Sequence, residues 1–204
     1  MKKCVIYVHG KGGSALEAEH YKPLFIGYDV FGLEYDDAAP PWENRRDLFE
    51  KTSNISRKYR ETVLIANSIG AFFSMDAGLD KLVSRAFFIS PVVDMEKLIT
   101  GMMSSAGISE DELREKESIR IDSGQVISRK YLEYVREHPL NWNVPACILY
   151  GSLDDLTSLE TVSGFAERIG AQLTVMEGGG HWFHTEEQMT FLDECIKRFF
   201  EGKV

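Results

Sequence analysis

Three residue types that together perform nucleophilic acyl chemistry occur in this sequence shortly after runs of apolar residues. Ser68 follows an aliphatic run and is followed at once by a second apolar pattern. Asp154 lies in a turn after a later apolar run, and His181 comes after three consecutive glycines. Serine is a weak nucleophile at neutral pH and needs a base, which histidine supplies and aspartate orients. These residues therefore indicate a nucleophile, a base and an acid, provided that the fold brings them together.

A glycine-rich segment, 9–13, reads His-Gly-Lys-Gly-Gly and follows the first apolar run of the chain. Glycines let the main chain approach a developing oxyanion closely, and backbone N–H groups stabilise its charge. The segment lacks the Lys-Ser or Lys-Thr ending of a P-loop and the G-x-G-x-x-G spacing of a dinucleotide site. It therefore disfavours nucleotide binding. Since the cysteines show no metal-ligand spacing either, we expect no metal and no cofactor.

The segment around Ser68 reads Ala-Asn-Ser-Ile-Gly, which is the pattern G-x-S-x-G with alanine at its first position. A tight strand-to-helix corner forces its central residue into a strained backbone conformation and pushes that side chain outward. Small residues at Ala66 and Gly70 let the corner pack against its neighbours. Serine is also a common helix N-cap, so the corner taken alone leaves that alternative open.

The elements that must position these residues follow from the periodicity of the apolar side chains. Runs that are apolar throughout and alternate with amphipathic helices indicate a parallel sheet covered on both sides. The sequence thus predicts an α/β fold with three α/β/α layers and a six-stranded, mainly parallel sheet. Strands are predicted at 3–8, 28–35, in the run before Ser68, and at 85–90, 144–151 and 172–177. Helices are predicted at 15–25, 42–59, directly after Ser68, and at 159–169 and 185–201.

The sequence changes character between about residues 95 and 142. This segment is charged, has apolar residues at helical spacing and contains no strand-like run. Gly101, Gly107 and Gly124 are expected to divide it into short helices. We expect a single domain, 1–204, in which this segment is a helical lid inserted after the fourth strand, over the sheet edge where ligands bind.

Right-handed crossovers place the carboxyl ends of parallel strands at one edge of a sheet, so the four segments should meet there. With these motifs in this order, the chain resembles the α/β-hydrolase superfamily, and within it the small serine hydrolases and esterases. The resemblance covers nearly the whole chain and includes the order Ser, Asp, His. It implies that Ser68 is the nucleophile, His181 the base and Asp154 the acid. The backbone N–H groups of Lys11 and Ile69 would form the oxyanion hole.

Some neighbouring residues compete for these roles. Asp155 and Asp94 are alternative acids, and His184 is an alternative base, although a capping or solvated surface role is the competing interpretation for each. Three aromatic residues are candidates for lining the substrate pocket, with packing in the core as the alternative. They are Trp182, Tyr131 and Trp142.

Composition narrows the class of partner. The chain of 204 residues has a net charge of −9, which disfavours nucleic acid or an anionic membrane as the main partner. No apolar stretch is long enough to cross a bilayer. Three cysteines without pair spacing favour a reducing compartment, so we expect a cytoplasmic protein.

The sequence therefore predicts a serine hydrolase that cleaves an ester or thioester bond of a small-molecule acyl substrate through an acyl-enzyme. Two alternatives stay open. One is a non-catalytic binding protein with the same fold. The other is an acyltransferase, which would use the same acyl-enzyme but pass the acyl group to an acceptor other than water.

Overall fold

A computed structural model describes residues 2–202. The chain divides into two compact units. The larger unit comprises the chain up to Val93 and from Asn141 onward, and the smaller unit is Asp94–Leu140. The smaller unit nearly coincides in range with the insertion predicted at about 95–142. Whether that insertion acts as a lid stays a prediction.

The larger unit contains a parallel sheet of six strands. Its central strands are buried along their length, because helices cover both faces of the β-branched and aliphatic runs. The predicted α/β class and the six-stranded sheet are confirmed. The strands of the described chain are β1 Lys3–Val8, β2 Tyr28–Leu33, β3 Glu61–Asn67, β4 Arg85–Ile89, β5 Ser118–Arg120, β6 Val126–Ser128, β7 Ala146–Gly151 and β8 Gln172–Met176. The order of the six strands in the sheet is β2-β1-β3-β4-β7-β8.

Helices follow the strands of the larger unit in alternation. The first is a 3-10 helix at Ala15–Leu24, which contains Pro23. The last packs Leu192, Cys195 and Ile196 into the core, as the 3.6-residue period of its apolar side chains predicts. The α-helices of the chain are α1 Pro41–Ser56, α2 Ile69–Asp76, α3 Met95–Ser105, α4 Glu110–Lys116, α5 Arg129–Glu137, α6 Leu159–Ile169 and α7 Glu186–Glu201.

The smaller unit differs from its prediction in two places. It contains an antiparallel hairpin of β5 and β6, where the sequence predicts only helices. Each strand has three residues, which is too short to show alternation, and Gly124 at φ 85° permits the turn between them. Gly101 does not end a helix but lies inside α3. Gly107, at φ 68°, follows α3 and separates it from the next helix, as predicted.

Within residues 2–202, no helix combines the length and the apolar character that crossing a bilayer requires.

The start of α2 lies directly against the end of β1. A Cβ atom added at Gly70 would lie 2.2 Å from the backbone oxygen of His9 and 2.7 Å from that of Val8. No side chain fits in that space, because both neighbouring atoms belong to the backbone of a buried strand end. Glycine at position 70 is therefore what lets the helix begin beside the loop that follows β1.

We predict that Gly70→Ala lowers the free energy of unfolding by about 1–3 kcal/mol, the usual cost of overfilling a packed site. Gly164→Ala is the matched control, because Gly164 lies within α6 and a Cβ there meets no atom within 4 Å. That change should raise the free energy of unfolding by about 0.5–1 kcal/mol, since glycine is a poor helix former. Urea unfolding of both variants measures the difference. Equal stabilities would contradict the close packing at Gly70.

Candidate active site

Ser68 occupies a strained corner between β3 and α2. Its backbone has φ 51° and ψ −120°, a conformation that non-glycine residues rarely adopt. Neighbouring main chain holds it there: the Ser68 N–H donates to Ile89 O at 2.9 Å, and its carbonyl accepts from the N–H groups of Ala71 and Val92. The side chain makes no capping hydrogen bond to α2, so the N-cap interpretation is wrong.

The hydroxyl of Ser68 instead contacts a histidine. Ser68 Oγ lies 2.8 Å from His181 Nε2, and His181 Nδ1 lies 2.8 Å from Asp154 Oδ2. The imidazole is 9 % exposed and the carboxylate is fully buried. A carboxylate accepts a hydrogen bond and cannot donate one, so Nδ1 carries the proton. Nε2 then accepts from the serine hydroxyl, which is the tautomer that a general base requires.

The Asp154 carboxylate is held by its own turn. Its Oδ1 accepts from the N–H groups of Leu156 at 2.9 Å and Thr157 at 3.2 Å, which leaves Oδ2 directed at the histidine. Tyr150 braces the same turn, because its hydroxyl donates to Thr157 O at 2.7 Å. Burial, together with the charge of Asp154, raises the pKa of Tyr150, so the phenol stays protonated and keeps donating.

The loops that carry the acid and the base are locked to each other. The Leu153 N–H donates to Gly179 O at 2.8 Å, and the Ser152 N–H donates to Met176 O at 2.9 Å. A Cβ atom at Gly151 would lie 2.3 Å from Gly179 O. Only glycine permits this backbone contact, which brings the end of β7 against the loop before His181.

The loop after β1 lies beside the serine. A Cβ atom at Gly10 would lie 3.2 Å from Ser68 Cβ. His9 is buried and stacks on Tyr35, whose hydroxyl donates to His9 O at 2.7 Å. Its imidazole Nδ1 lies 2.8 Å from Gly10 O, which only a protonated nitrogen can contact favourably. His9 therefore braces the loop through its contacts with Gly10 and Tyr35.

Hydrogen bonds made by residues 11–15 leave one amide of that stretch without an acceptor and so available to a ligand. Across residues 11–15, all of which the structure describes, only the Lys11 N–H has no acceptor within the protein. The Ile69 N–H is the first of α2 and, like other first-turn amides, has no partner inside the helix. The other loop donors and their acceptors are Gly12 to Asp37 Oδ2, Gly13 to Gly10 O, Ser14 to Glu17 Oε1 and Ala15 to Glu34 Oε1.

The alternative acids and the alternative base lie elsewhere. Asp155 is exposed, and Asp94 caps α3 by accepting from the Lys97 N–H at 2.9 Å. His184 is exposed, and its Nδ1 contacts Trp182 O at 2.8 Å. The contact that the structure gives the Ser68 hydroxyl is with His181.

The three aromatic candidates for the pocket differ in placement. Trp182, next to the base, is 69 % exposed. Trp142 is packed in the core, edge-on to Phe88 with 5.0 Å between ring centroids, which corresponds to the packing alternative. Tyr131 lies in α5 of the smaller unit, and its role in a pocket stays a prediction.

Sequence reasoning missed the carboxylates that hold the loop after β1. Asp37, Glu34 and Glu17 each accept from one of its amides. Asp37 and Glu34 follow β2, which is the neighbour of β1 in the sheet, so strand order was the signal needed to find them. The described part of the chain has no group of three or more histidine, cysteine or acidic side chains placed to hold a metal ion.

Comparison with solved structures identifies the fold of the chain. No protein-family model and no curated protein sequence matches the chain. Among solved structures, it is similar to Est1E from Butyrivibrio proteoclasticus, with a TM-score of 0.76 and 15% identity over 98% of this chain and 87% of that one. The α/β hydrolase domain-containing protein 10 from mouse has a TM-score of 0.77 and 15% identity over 98% and 90%.

A lipase-esterase related protein from Clostridium acetobutylicum is also similar, with a TM-score of 0.64 and 16% identity over 97% of this chain and 94% of that one. All three comparisons extend over nearly the whole chain. The sheet order, the corner after β3 and these likenesses together show that the chain has the α/β-hydrolase fold.

Proposed function

We propose that this protein is a serine hydrolase that cleaves an ester or thioester of a small acyl substrate through an acyl-enzyme. The observation that carries the proposal is the continuous contact from Ser68 Oγ through His181 to the buried Asp154 carboxylate. Strain at the corner supports it, because strained backbone is retained where the surrounding structure holds a functional side chain in place.

In the first half of the reaction, Ser68 Oγ attacks the acyl carbon while His181 Nε2 takes the hydroxyl proton. The carbonyl π electrons move to oxygen, and the N–H groups of Lys11 and Ile69 donate to this oxyanion. The tetrahedral intermediate then collapses. The bond to the alcohol or thiol breaks, His181 returns the proton to that leaving group, and the acyl group stays on Ser68.

In the second half, water replaces the leaving group. His181 takes a proton from water, whose oxygen attacks the acyl carbon and again forms an oxyanion in the same site. Collapse breaks the bond to Ser68 Oγ, which recovers its proton from His181, and a free acid leaves. Asp154 stabilises the imidazolium in both halves without itself becoming protonated.

Esterase chemistry is favoured because one of the compared structures is described as lipase-esterase related. The acyltransferase alternative shares every step as far as the acyl-enzyme. The two differ only in what accepts the acyl group, so the ratio of free acid to transferred product in the presence of added alcohol separates them. A hydrolase releases mainly free acid.

We predict that a fluorophosphonate probe labels the wild-type protein and does not label Ser68→Ala. The probe reports an activated serine, because phosphonylation requires a nucleophilic hydroxyl and a polarised P=O group. Gel fluorescence and mass spectrometry of the labelled peptide give the result. A folded wild-type protein that resists the probe would instead be the non-catalytic binding protein.

The two neighbouring histidines provide a matched pair. His181→Ala should lower kcat/KM for p-nitrophenyl acetate by about 10³-fold or more, because the serine loses its base. His184→Ala should stay within about twofold of wild type, since surface substitutions have small effects. Steady-state hydrolysis measures both, with circular dichroism as the control for folding. Equal losses of activity in the two variants would show that His181 is not the specific base.

A further inference from the structure

We propose that Asp37 is a positioning residue that fixes the Lys11 N–H in the direction required of an oxyanion donor; this rests on the proposed function. Asp37 follows β2 and lies outside the Ser68–His181–Asp154 contacts. Its carboxylate acts through the main chain of the loop and does not touch the reacting atoms.

The peptide group before Lys11 is held from inside the protein. Its carbonyl, Gly10 O, is contacted by His9 Nδ1 at 2.8 Å and by the Gly13 N–H at 3.1 Å. In a trans peptide the N–H points opposite to the carbonyl, so these two contacts hold the Lys11 N–H from the upstream side and leave the downstream side to Asp37. They also polarise that peptide group and strengthen its N–H as a donor.

The peptide group between Lys11 and Gly12 is held by the side chain of Asp37, which belongs to the loop after β2. The Gly12 N–H donates to Asp37 Oδ2 at 2.5 Å. Gly12 has φ +71°, and a Cβ there would meet no atom within 4 Å, so the space beside its Cα is open. Without the carboxylate, glycine would leave the downstream peptide free to rotate. Lys11 thus lies between two fixed peptide planes, and Asp37 fixes the second.

Asp37 is itself presented from a braced turn. The Ala38 N–H donates to Asp36 Oδ1 at 2.9 Å, and the Ala39 N–H donates to Asp36 O at 3.0 Å. Asn44, buried in α1, donates from Nδ2 to the same Asp36 oxygen at 2.8 Å. A carboxylate on a turn fixed in this way keeps its direction when substrate binds against the loop.

The other carboxylates at the loop act further from the donor. Glu17 accepts from the Ser14 N–H at 3.0 Å, and Glu34 accepts from the Ala15 N–H at 3.0 Å. These bonds anchor the downstream end of the loop, where the 3-10 helix begins. Of the three carboxylates, Asp37 alone holds a peptide group that includes Lys11.

The test compares Asp37→Ala, Asp37→Asn and a control, Asp122→Ala, which removes an exposed aspartate from the smaller unit. In Asp37→Ala, kcat for p-nitrophenyl acetate should fall about tenfold with little change in KM, the size of one lost charge-assisted hydrogen bond. Asp37→Asn should recover most of the rate, because its amide oxygen still accepts from Gly12. Asp122→Ala should match wild type.

Binding of phenylboronic acid separates positioning from general loss of structure. The boronate forms a tetrahedral adduct with serine and places an oxygen where the oxyanion lies, so its affinity should fall in Asp37→Ala by the same factor as kcat. Inhibition by acetate, the planar product, should not change. A loss of kcat without loss of boronate affinity, or an Asp37→Ala variant as active as the control, would overturn the proposal.

Hydrogen exchange of the Gly12 amide, followed by NMR, tests the same contact without turnover. Exchange should be slow in wild type and Asp37→Asn and about tenfold faster in Asp37→Ala. If wild type neither turns over ester nor labels at Ser68, the proposed function fails, and this exchange still decides whether Asp37 holds the loop. Equal Gly12 exchange in wild type and Asp37→Ala would overturn the role of Asp37.

Discussion

The carbonyl oxygen of His9 lies 2.2 Å from where a side chain at Gly70 would begin, and the site is arranged around this backbone contact. It joins the end of β1 to the first turn of α2. The loop that carries the Lys11 N–H and the corner that carries Ser68 therefore lie side by side. A parallel sheet brings two strand ends to one edge, but it does not set their separation to within a hydrogen bond. The glycine does.

A second backbone contact joins the segments that carry Asp154 and His181. Gly151 at the end of β7 lies against Gly179, so the turn of Asp154 and the loop of His181 are joined through their backbones. Both contacts join main chain to main chain and leave no room for a Cβ. Such contacts are stiff, and a catalytic constellation requires that its members be held within a fraction of an ångström.

Much of this could be predicted from the sequence. The apolar runs predicted the six parallel strands, and the small residues around Ser68 predicted the corner after β3. That the loops of Ser68, Asp154 and His181 meet followed from the rule that the carboxyl ends of parallel strands share an edge, whereas the choice of Asp154 within its loop came from the family resemblance. The strands and the corner could be predicted because buried strands and tight corners restrict residue type strongly.

The remaining features depend on contacts that periodicity does not encode. The β5–β6 hairpin is too short for an alternating pattern, and its turn depends on the backbone of Gly124. The burial of Trp142 depends on the position of Phe88, far away in sequence. The bond from Gly12 to Asp37 required the strand order, because only then do the loops after β1 and β2 become neighbours.

The proposed mechanism requires a covalent intermediate at Ser68, and rapid-quench mass spectrometry during hydrolysis of p-nitrophenyl butyrate observes it directly. We predict a burst of nitrophenol close to one equivalent per enzyme, provided that deacylation is the slower half. We also predict a matching mass increase of one butyryl group on the peptide that contains Ser68. Nitrophenol released at the wild-type rate by Ser68→Ala, or an acyl group found on another residue, would refute an acyl-enzyme at Ser68.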